Sequence, residues 1–222
     1  EMKIQMLLVA VGIAMSLFCF AQSLETCDIA YLEQELAERM KKEQDIRMEA
    51  MPMVAEYQKT GTGKIALIPK ILKMNRIDEA NQAWLSQMFE TCGWPEELSD
   101  KANNAVFLNL QHAEDTLQEQ YFPLVEEKMT AAIIPKSDWA KMLDRIKMHR
   151  GEQQVYGTQT FANANNENLV WPVEDVRLLE PRREDVGLPS MEQYFQLSRD
   201  SVGIEMKWDK EMTLKEAAEQ RK

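Results

Sequence analysis

Cysteine, histidine and glycine are scarce in this sequence. Its 222 residues include 3 Cys, 2 His and 8 Gly. There is no CxxC pair, HExxH helix, GxSxG turn or calcium-binding loop, and His112 and His149 alone are too few for a histidine-based metal centre. Gly61-Thr62-Gly63-Lys64 resembles part of a P-loop, but Gln58 stands where that loop needs its first glycine. The sequence therefore predicts neither a metal site nor a cofactor.

Positive charge is also in short supply. The chain has 26 Lys and Arg against 37 Asp and Glu, a formal net charge of −11. Binding of nucleic acid relies on clustered Lys and Arg, so this balance argues against a nucleic-acid partner and against adhesion to anionic lipid. We expect an acidic, soluble protein.

The longest apolar run lies near the N-terminus, over residues 6–20. It is shorter than the roughly 20 apolar residues that span a bilayer. Cys19 and Ala21 supply small residues at the −3 and −1 positions of a cleavage site. We therefore predict a signal peptide over residues 1–21, with Glu1 a remnant. The protein would be exported to the periplasm or secreted, with no stable membrane insertion after cleavage.

Two cysteines, Cys27 and Cys92, follow this segment. In an oxidising compartment they could form a disulfide. Their spacing does not show whether their Cα atoms approach each other, so the pairing stays open.

Apolar residues recur with helical spacing along most of the remaining chain. The predicted helices are Asp28 to about Met51, Asp78 to Cys92, Ser99 to His112, Leu117 to Ala132, Ser137 to about Gly151, and Pro189 through Leu197. Pro52 should kink or end the first of them.

Two short strands over residues 154–161 and 169–173 should form a β-hairpin. The predicted fold class is therefore mainly α. A single α-rich domain over residues 22–200 carries a short β-hairpin in its C-terminal third. A charged, loosely ordered tail over residues 201–222 follows it.

A polar segment, Gln111 to Asp115, closes an otherwise apolar predicted helix. His112 and Asp115 are three residues apart and would share one helix face. A carboxylate beside the imidazole could fix its tautomer and raise its basicity, as a general base requires. The alternative is a capping or core histidine satisfied by a hydrogen bond.

Further polar residues lie in the second half of the chain. Asp144-Arg145 falls outside the apolar stripe of its helix. The pair could be exposed to solvent or could face a second interface. Alternation in the predicted strand places Gln154, Tyr156 and Thr158 on one face, which could bind a polar ligand or satisfy buried helix ends. Arg182-Arg183 could bind an anion or pair with a neighbouring carboxylate.

The order of five short motifs resembles a bacterial family of unassigned function. The motifs are Gly93-Trp94-Pro95, Gln111-His112-Ala113-Glu114, Asp144-Arg145, residues 151–159 (GEQQVYGTQ) and residues 182–189 (RREDVGLP). The similarity spans about residues 45–194, and the family carries Asp where this chain has Glu114. The resemblance implies that eight polar residues form one site: His112, Glu114, Asp144, Arg145, Gln154, Tyr156, Gln159 and Arg183.

The favoured function is a binding domain of the cell envelope. Gln154, Tyr156, Gln159 and Arg183 would bind a small polar or anionic ligand, or a peptide. In a second interpretation, the whole polar set is an internal network that fixes helix and hairpin packing. The sequence indicates neither an oligomeric state nor a specific ligand.

A third interpretation is a metal-independent hydrolase. His112 would act as the general base, with Glu114 or Asp144 orienting it. Arg145 or Arg183 would stabilise developing negative charge. No nucleophile can be identified from spacing, so the sequence does not decide whether the protein is an enzyme.

Overall fold

The structure, a computed structural model, describes residues 27–221, and the predicted signal peptide lies outside them. The helices of this part are α1 (Ile29–Thr60), α2 (Lys64–Cys92), α3 (Asp100–Gln111), α4 (Asp115–Thr130), α5 (Lys136–His149), α6 (Leu179–Asp185), α7 (Met191–Val202) and α8 (Leu214–Gln220). The strands are β1 (Thr160–Ala162), β2 (Asn168–Val170) and β3 (Met206–Lys207). The predicted mainly α fold class is confirmed.

Helices α1 and α2 form a long antiparallel hairpin. The sequence predicted that α1 would end near Met51 and that α2 would begin near Asp78, but both helices continue through a proline, Pro52 and Pro69. A proline inside a helix leaves the carbonyl four residues before it without its hydrogen bond. Those carbonyls belong to Met48 and Ile65, which are both exposed, so water can bind them.

A disulfide joins Cys27 and Cys92, with their Cα atoms 5.6 Å apart. It ties the start of α1 to the end of α2. Closing a loop with a sequence separation of 65 residues removes chain entropy from the unfolded state, a stabilisation of about 4 kcal/mol.

The main apolar core lies where α3, α4 and α5 pack against the disulfide end of the hairpin. Leu36 of α1, Met88 of α2, Val106 of α3, Val125 of α4 and Met142 of α5 are all buried in one cluster. Their spacing along each helix follows the apolar stripes that the sequence displays. This core holds α5, which carries Asp144 and Arg145, in a fixed position.

The small sheet has the order β1-β2-β3. Strands β1 and β2 form the predicted antiparallel hairpin, and β3 joins β2 in parallel. The strands are shorter than predicted, because residues 154–159 form no strand apart from one isolated bridge from Gln154 to Val173. The polar strand face predicted for this segment is therefore wrong.

The segment predicted as a charged tail contains secondary structure in the part that the structure describes. Beyond residue 200 the chain contributes β3 and then α8, which begins with a capping box between Thr213 and Glu216. Met212 and Ala217 are buried against Trp171. Two apolar residues in a charged segment are enough to dock a short helix, a signal too small to read from composition.

No helix among residues 27–221 is both long enough and apolar enough to cross a membrane.

Candidate functional site

Asp144 anchors the loop that follows α5. Its carboxylate is buried and accepts hydrogen bonds from the backbone N–H groups of Val155 (2.7 Å), Tyr156 (3.0 Å) and Thr158 (3.0 Å). The Thr158 hydroxyl donates a fourth bond at 2.9 Å. Burial raises the pKa of the Asp144 carboxyl, and the four donors oppose that effect. The carboxylate folds residues 155–158 around itself and has no free face for a substrate.

Gln154 also serves the fold. Its amide nitrogen donates to the carbonyls of Gln159 (3.0 Å) and Trp171 (2.6 Å). Its amide oxygen accepts the Gln159 N–H at 2.8 Å. The side chain is fully buried and bonded at both ends, and it adds to the backbone bond from the Trp171 N–H to the Gln159 carbonyl.

The ring of Tyr156 packs edge-on against Trp139, with ring centroids 6.0 Å apart. It joins a small apolar cluster with Val186 and Leu188. Burial raises the pKa of the Tyr156 hydroxyl. Its observed contacts are those of a packing residue.

Arg145, the residue after Asp144 on α5, donates hydrogen bonds only to neutral groups. Its Nε donates to the side-chain oxygen of Gln159 at 3.3 Å, and its Nη1 donates to the backbone carbonyl of Gln111. Among the described residues no carboxylate lies within ion-pairing distance of it. Burial lowers the pKa of the Arg145 guanidinium.

Arg183 in α6 is a second arginine with neutral partners, and it is buried, whereas Arg145 is half-buried. Its Nε donates to the carbonyl of Pro189 at 2.7 Å, and its Nη1 donates to the carbonyl of Tyr156 at 2.5 Å. Its guanidinium lies over the ring of Tyr194, 5.2 Å from the centroid. It makes no ion pair with any described residue, and burial lowers its pKa.

Both arginines line one cavity of about 730 Å³. Lys141 also lines the cavity, but its Nζ pairs with Asp138 at 2.9 Å. Thr158, Ser198 and Tyr194 line it too, and their hydroxyls donate to Asp144, the Ile204 carbonyl and the Thr158 carbonyl. The apolar part of the wall includes Leu188, Leu197 and Met206. No Asp or Glu lines this cavity, although the chain as a whole is strongly acidic.

The arrangement suits an anion better than a cation or a neutral sugar. Guanidinium groups match planar or tetrahedral oxyanions in size and hydrogen-bond direction. Among the described residues no group of three or more His, Cys, Asp or Glu side chains is placed to hold a metal ion.

His112 lies beside this cavity but in a different cluster. It caps the C-terminal end of α3, and its Nδ1 lies 2.6 Å from Oε1 of Glu43. The Glu43 oxygen is also 2.8 Å from Nη1 of Arg47, which pairs in turn with Asp78 at 3.0 Å. Burial would raise the pKa of Glu43, but His112 and Arg47 together hold it below its ordinary value.

The predicted pairing of His112 with Asp115 is wrong. Helix α3 ends at Gln111 and α4 begins at Asp115, so the two residues do not share a helix face. Asp115 instead contacts Nδ1 of His149 at 2.6 Å. Glu114, the N-cap residue of α4, is exposed and its side chain makes no cap hydrogen bond.

Hydrogen bonds thus connect six of the eight predicted site residues: Asp144, Arg145, Gln154, Tyr156, Gln159 and Arg183. His112 adjoins them through its neighbour Gln111, whose carbonyl binds Arg145. Glu114 lies outside this network.

Sequence reasoning missed Glu43 and Tyr194. Glu43 lies seven residues after Leu36 and three before Ile46, both buried, so it falls on the apolar stripe of α1. A charged residue on a core-facing stripe was the available signal. Tyr194 has no comparable signal, because it follows the apolar spacing of its own helix.

A family model described as a family of unknown function, DUF6624, matches residues 31–207. No curated protein and no solved structure matches the chain.

Proposed function

The chain belongs to DUF6624, a family of unknown function, and we propose that it binds a small organic anion in the cavity between α5, α6 and α7. One observation carries the proposal: half-buried Arg145 and buried Arg183 line one cavity, and neither has a carboxylate partner among the described residues. A buried cation without a counter-ion is costly to the fold. An anionic ligand would supply the missing charge.

The rest of the wall narrows the ligand class. The Thr158 and Tyr194 hydroxyls already donate to Asp144 and to the Thr158 carbonyl, so the arginines are the groups that would bind the anion. Leu188, Leu197 and Met206 offer apolar surface. A molecule with a carboxylate or phosphate at one end and an apolar group at the other would satisfy both kinds of surface.

We place this binding outside the cytoplasm. The predicted signal peptide motivates that assignment, and the Cys27–Cys92 disulfide supports it because disulfides persist in oxidising compartments.

Isothermal titration calorimetry with N-acetyl-leucine, N-acetyl-leucinamide and inorganic phosphate tests the proposal. The carboxylate should bind and the neutral amide should not. Arg145→Gln should weaken binding by about tenfold or more, because a charge-assisted hydrogen bond contributes about 1.5–3 kcal/mol. Arg177→Gln is the matched control, since that arginine is 89% exposed and pairs with Asp175 away from the cavity.

Equal binding of the amide and the acid would contradict the proposal. So would the absence of binding by both anions at about 10 mM, a concentration well above a millimolar Kd.

A hydrolase is a second candidate, favoured by the His112–Glu43 contact. A carboxylate at Nδ1 fixes the imidazole tautomer and leaves Nε2 free to accept a proton. The side chain of His112 is 22% exposed, which leaves a path to solvent. Glu43 therefore takes the orienting role that the sequence assigned to Glu114 or Asp144.

Hydrolysis of p-nitrophenyl acetate tests this candidate. Glu43→Gln and His112→Asn should each lower the rate about a hundredfold if the pair acts as a general base. Glu114→Gln is the control, because its side chain is exposed and makes no cap hydrogen bond. Equal rates in all three variants would sink the candidate.

We assign a structural role to Asp144, Gln154 and Tyr156, because the first two bond neighbouring backbone groups and the third packs against Trp139. Arg145 and Arg183 instead line the cavity.

A further inference from the structure

The half of the hairpin remote from the disulfide carries an exposed apolar stripe. On α2, Ile65 is 88% exposed, Ile68 46% and Leu72 53%. Their spacing of three and then four residues places them in one row along the helix. Leu67 is buried, and it lies on the opposite side of the same helix, against α1. The row therefore faces away from the protein.

This part of the chain reverses the overall charge. Residues 59–77 contain five Lys or Arg and no Asp or Glu, in a protein with a net charge of −11. Lys64, Lys73 and Arg76 are exposed and make no ion pair with any described residue. At 100° per residue, Lys64 and Lys73 flank the apolar row on its two sides and Arg76 lies at its end. We call these six residues the basic face: Lys64, Ile65, Ile68, Leu72, Lys73 and Arg76.

We propose that the basic face docks the protein on the surface of a membrane that contains anionic lipid. Helices that lie in the bilayer interface combine an outward apolar row with flanking Lys and Arg, which bind lipid phosphates while the apolar side chains enter the acyl boundary. The net charge argued against anionic lipid, but it averages over the whole surface. Attraction acts within about one Debye length, roughly 8 Å, so the local charge decides.

The chain from Gln22, the start that the predicted signal cleavage gives, contains every helix, strand and disulfide described above.

Co-flotation of the chain from Gln22 with lipid vesicles tests the proposal. Vesicles of phosphatidylglycerol and phosphatidylcholine should carry the protein, and vesicles of phosphatidylcholine alone should not. Raising the salt from about 0.05 M to about 0.5 M should release it.

Two variants separate the apolar and electrostatic contributions. Ile65→Ser with Leu72→Ser should lower the partition coefficient about tenfold or more, because each loses apolar burial in the interface. Lys64→Gln with Lys73→Gln and Arg76→Gln should lower it to a similar degree and abolish the salt dependence. Leu178→Ser is the matched control, because Leu178 is 51% exposed on another surface, and it should bind like the wild type.

Several results would overturn the proposal. One is unchanged vesicle binding by the Ile65→Ser and Leu72→Ser variant, and another is equal binding to neutral vesicles. A dimer that this variant dissociates, with no vesicle binding, would instead assign the row to contact between two copies. Arg145→Gln should leave vesicle binding unchanged, so this proposal and the anion-binding function fail separately.

Discussion

The five N-terminal helices and the region from residue 151 to 212 bury very different side chains. The helices bury Leu36, Met88, Val106 and their neighbours in one apolar cluster. The later region divides its apolar residues among smaller clusters. Asp144 ties it to α5, and Gln154 and Arg183 bond backbone groups within it. Short strands form few backbone hydrogen bonds with each other. Buried polar side chains compensate, because each one satisfies several backbone groups at once.

The comparison has an energetic meaning. An apolar contact can be weakened in small steps, whereas a buried polar anchor leaves several unsatisfied donors when it is removed. Four predictions test this difference, from the largest expected effect to the smallest.

Asp144→Ala should have the largest effect. It removes the acceptor of four hydrogen bonds and leaves three backbone N–H groups without a partner. We expect the free energy of unfolding to fall by about 4 kcal/mol. Hydrogen exchange should rise first over residues 151–159, with α1 to α3 still protected. Uniform loss of protection in both regions would contradict the proposed division.

Leu36→Ala should cost about 3 kcal/mol, from lost burial and the cavity left behind. Urea denaturation measures it. Here the loss should affect the helical region as one cooperative unit, since Leu36 contacts the main core. Faster hydrogen exchange confined to the C-terminal region would contradict this difference between the two regions.

Glu43→Gln probes a charged group buried among the helices. Because the pKa of Glu43 is lowered in the folded state, its charge stabilises the fold above the unfolded value of 4.5, and that stabilisation is lost as the pH falls through the lower folded value. We expect the variant to lose about 2 kcal/mol at pH 7. Its deficit should shrink below pH 4.5. A deficit that grows on acidification would refute this role.

Gln154→Ala should have the smallest effect of the four, about 1–2 kcal/mol. Its amide makes three hydrogen bonds that hold residues 159 and 171 together. Gln153→Ala is the matched control and should change the melting temperature little, because Gln153 is exposed. Equal melting temperatures for both variants would remove Gln154 from the set of anchors.

Much of the helical region was predictable because its helices carry apolar stripes with regular spacing. The starts of α3 and α5 were predicted within one residue, from Ser99 and Ser137. The extension of α1 and the start of α2 were not, because Pro52 and Pro69 usually end helices. Helix α6 was also missed, since five of its seven residues are charged and it shows no clear apolar period.

The site was predictable as a set of residues and not as an arrangement. The motif order indicated Arg145, Gln159 and Arg183, which the structure joins at one cavity through Tyr156 and its neighbours. It did not indicate that the polar atoms of Asp144 and Gln154 would be occupied by hydrogen bonds to backbone groups. Nor did it indicate Glu43, which lies about 70 positions from His112 along the chain and meets it through packing of α1 on α3.

By itself, the sequence determined the mainly α class, most helix positions and the presence of polar residues at unusual places, because periodicity and local propensity act over a few neighbouring residues. The tertiary structure alone decided which carboxylate meets His112, which arginines are left without a counter-charge and which face of α2 stays exposed. Those outcomes depend on contacts between residues far apart in the chain, which no local pattern encodes.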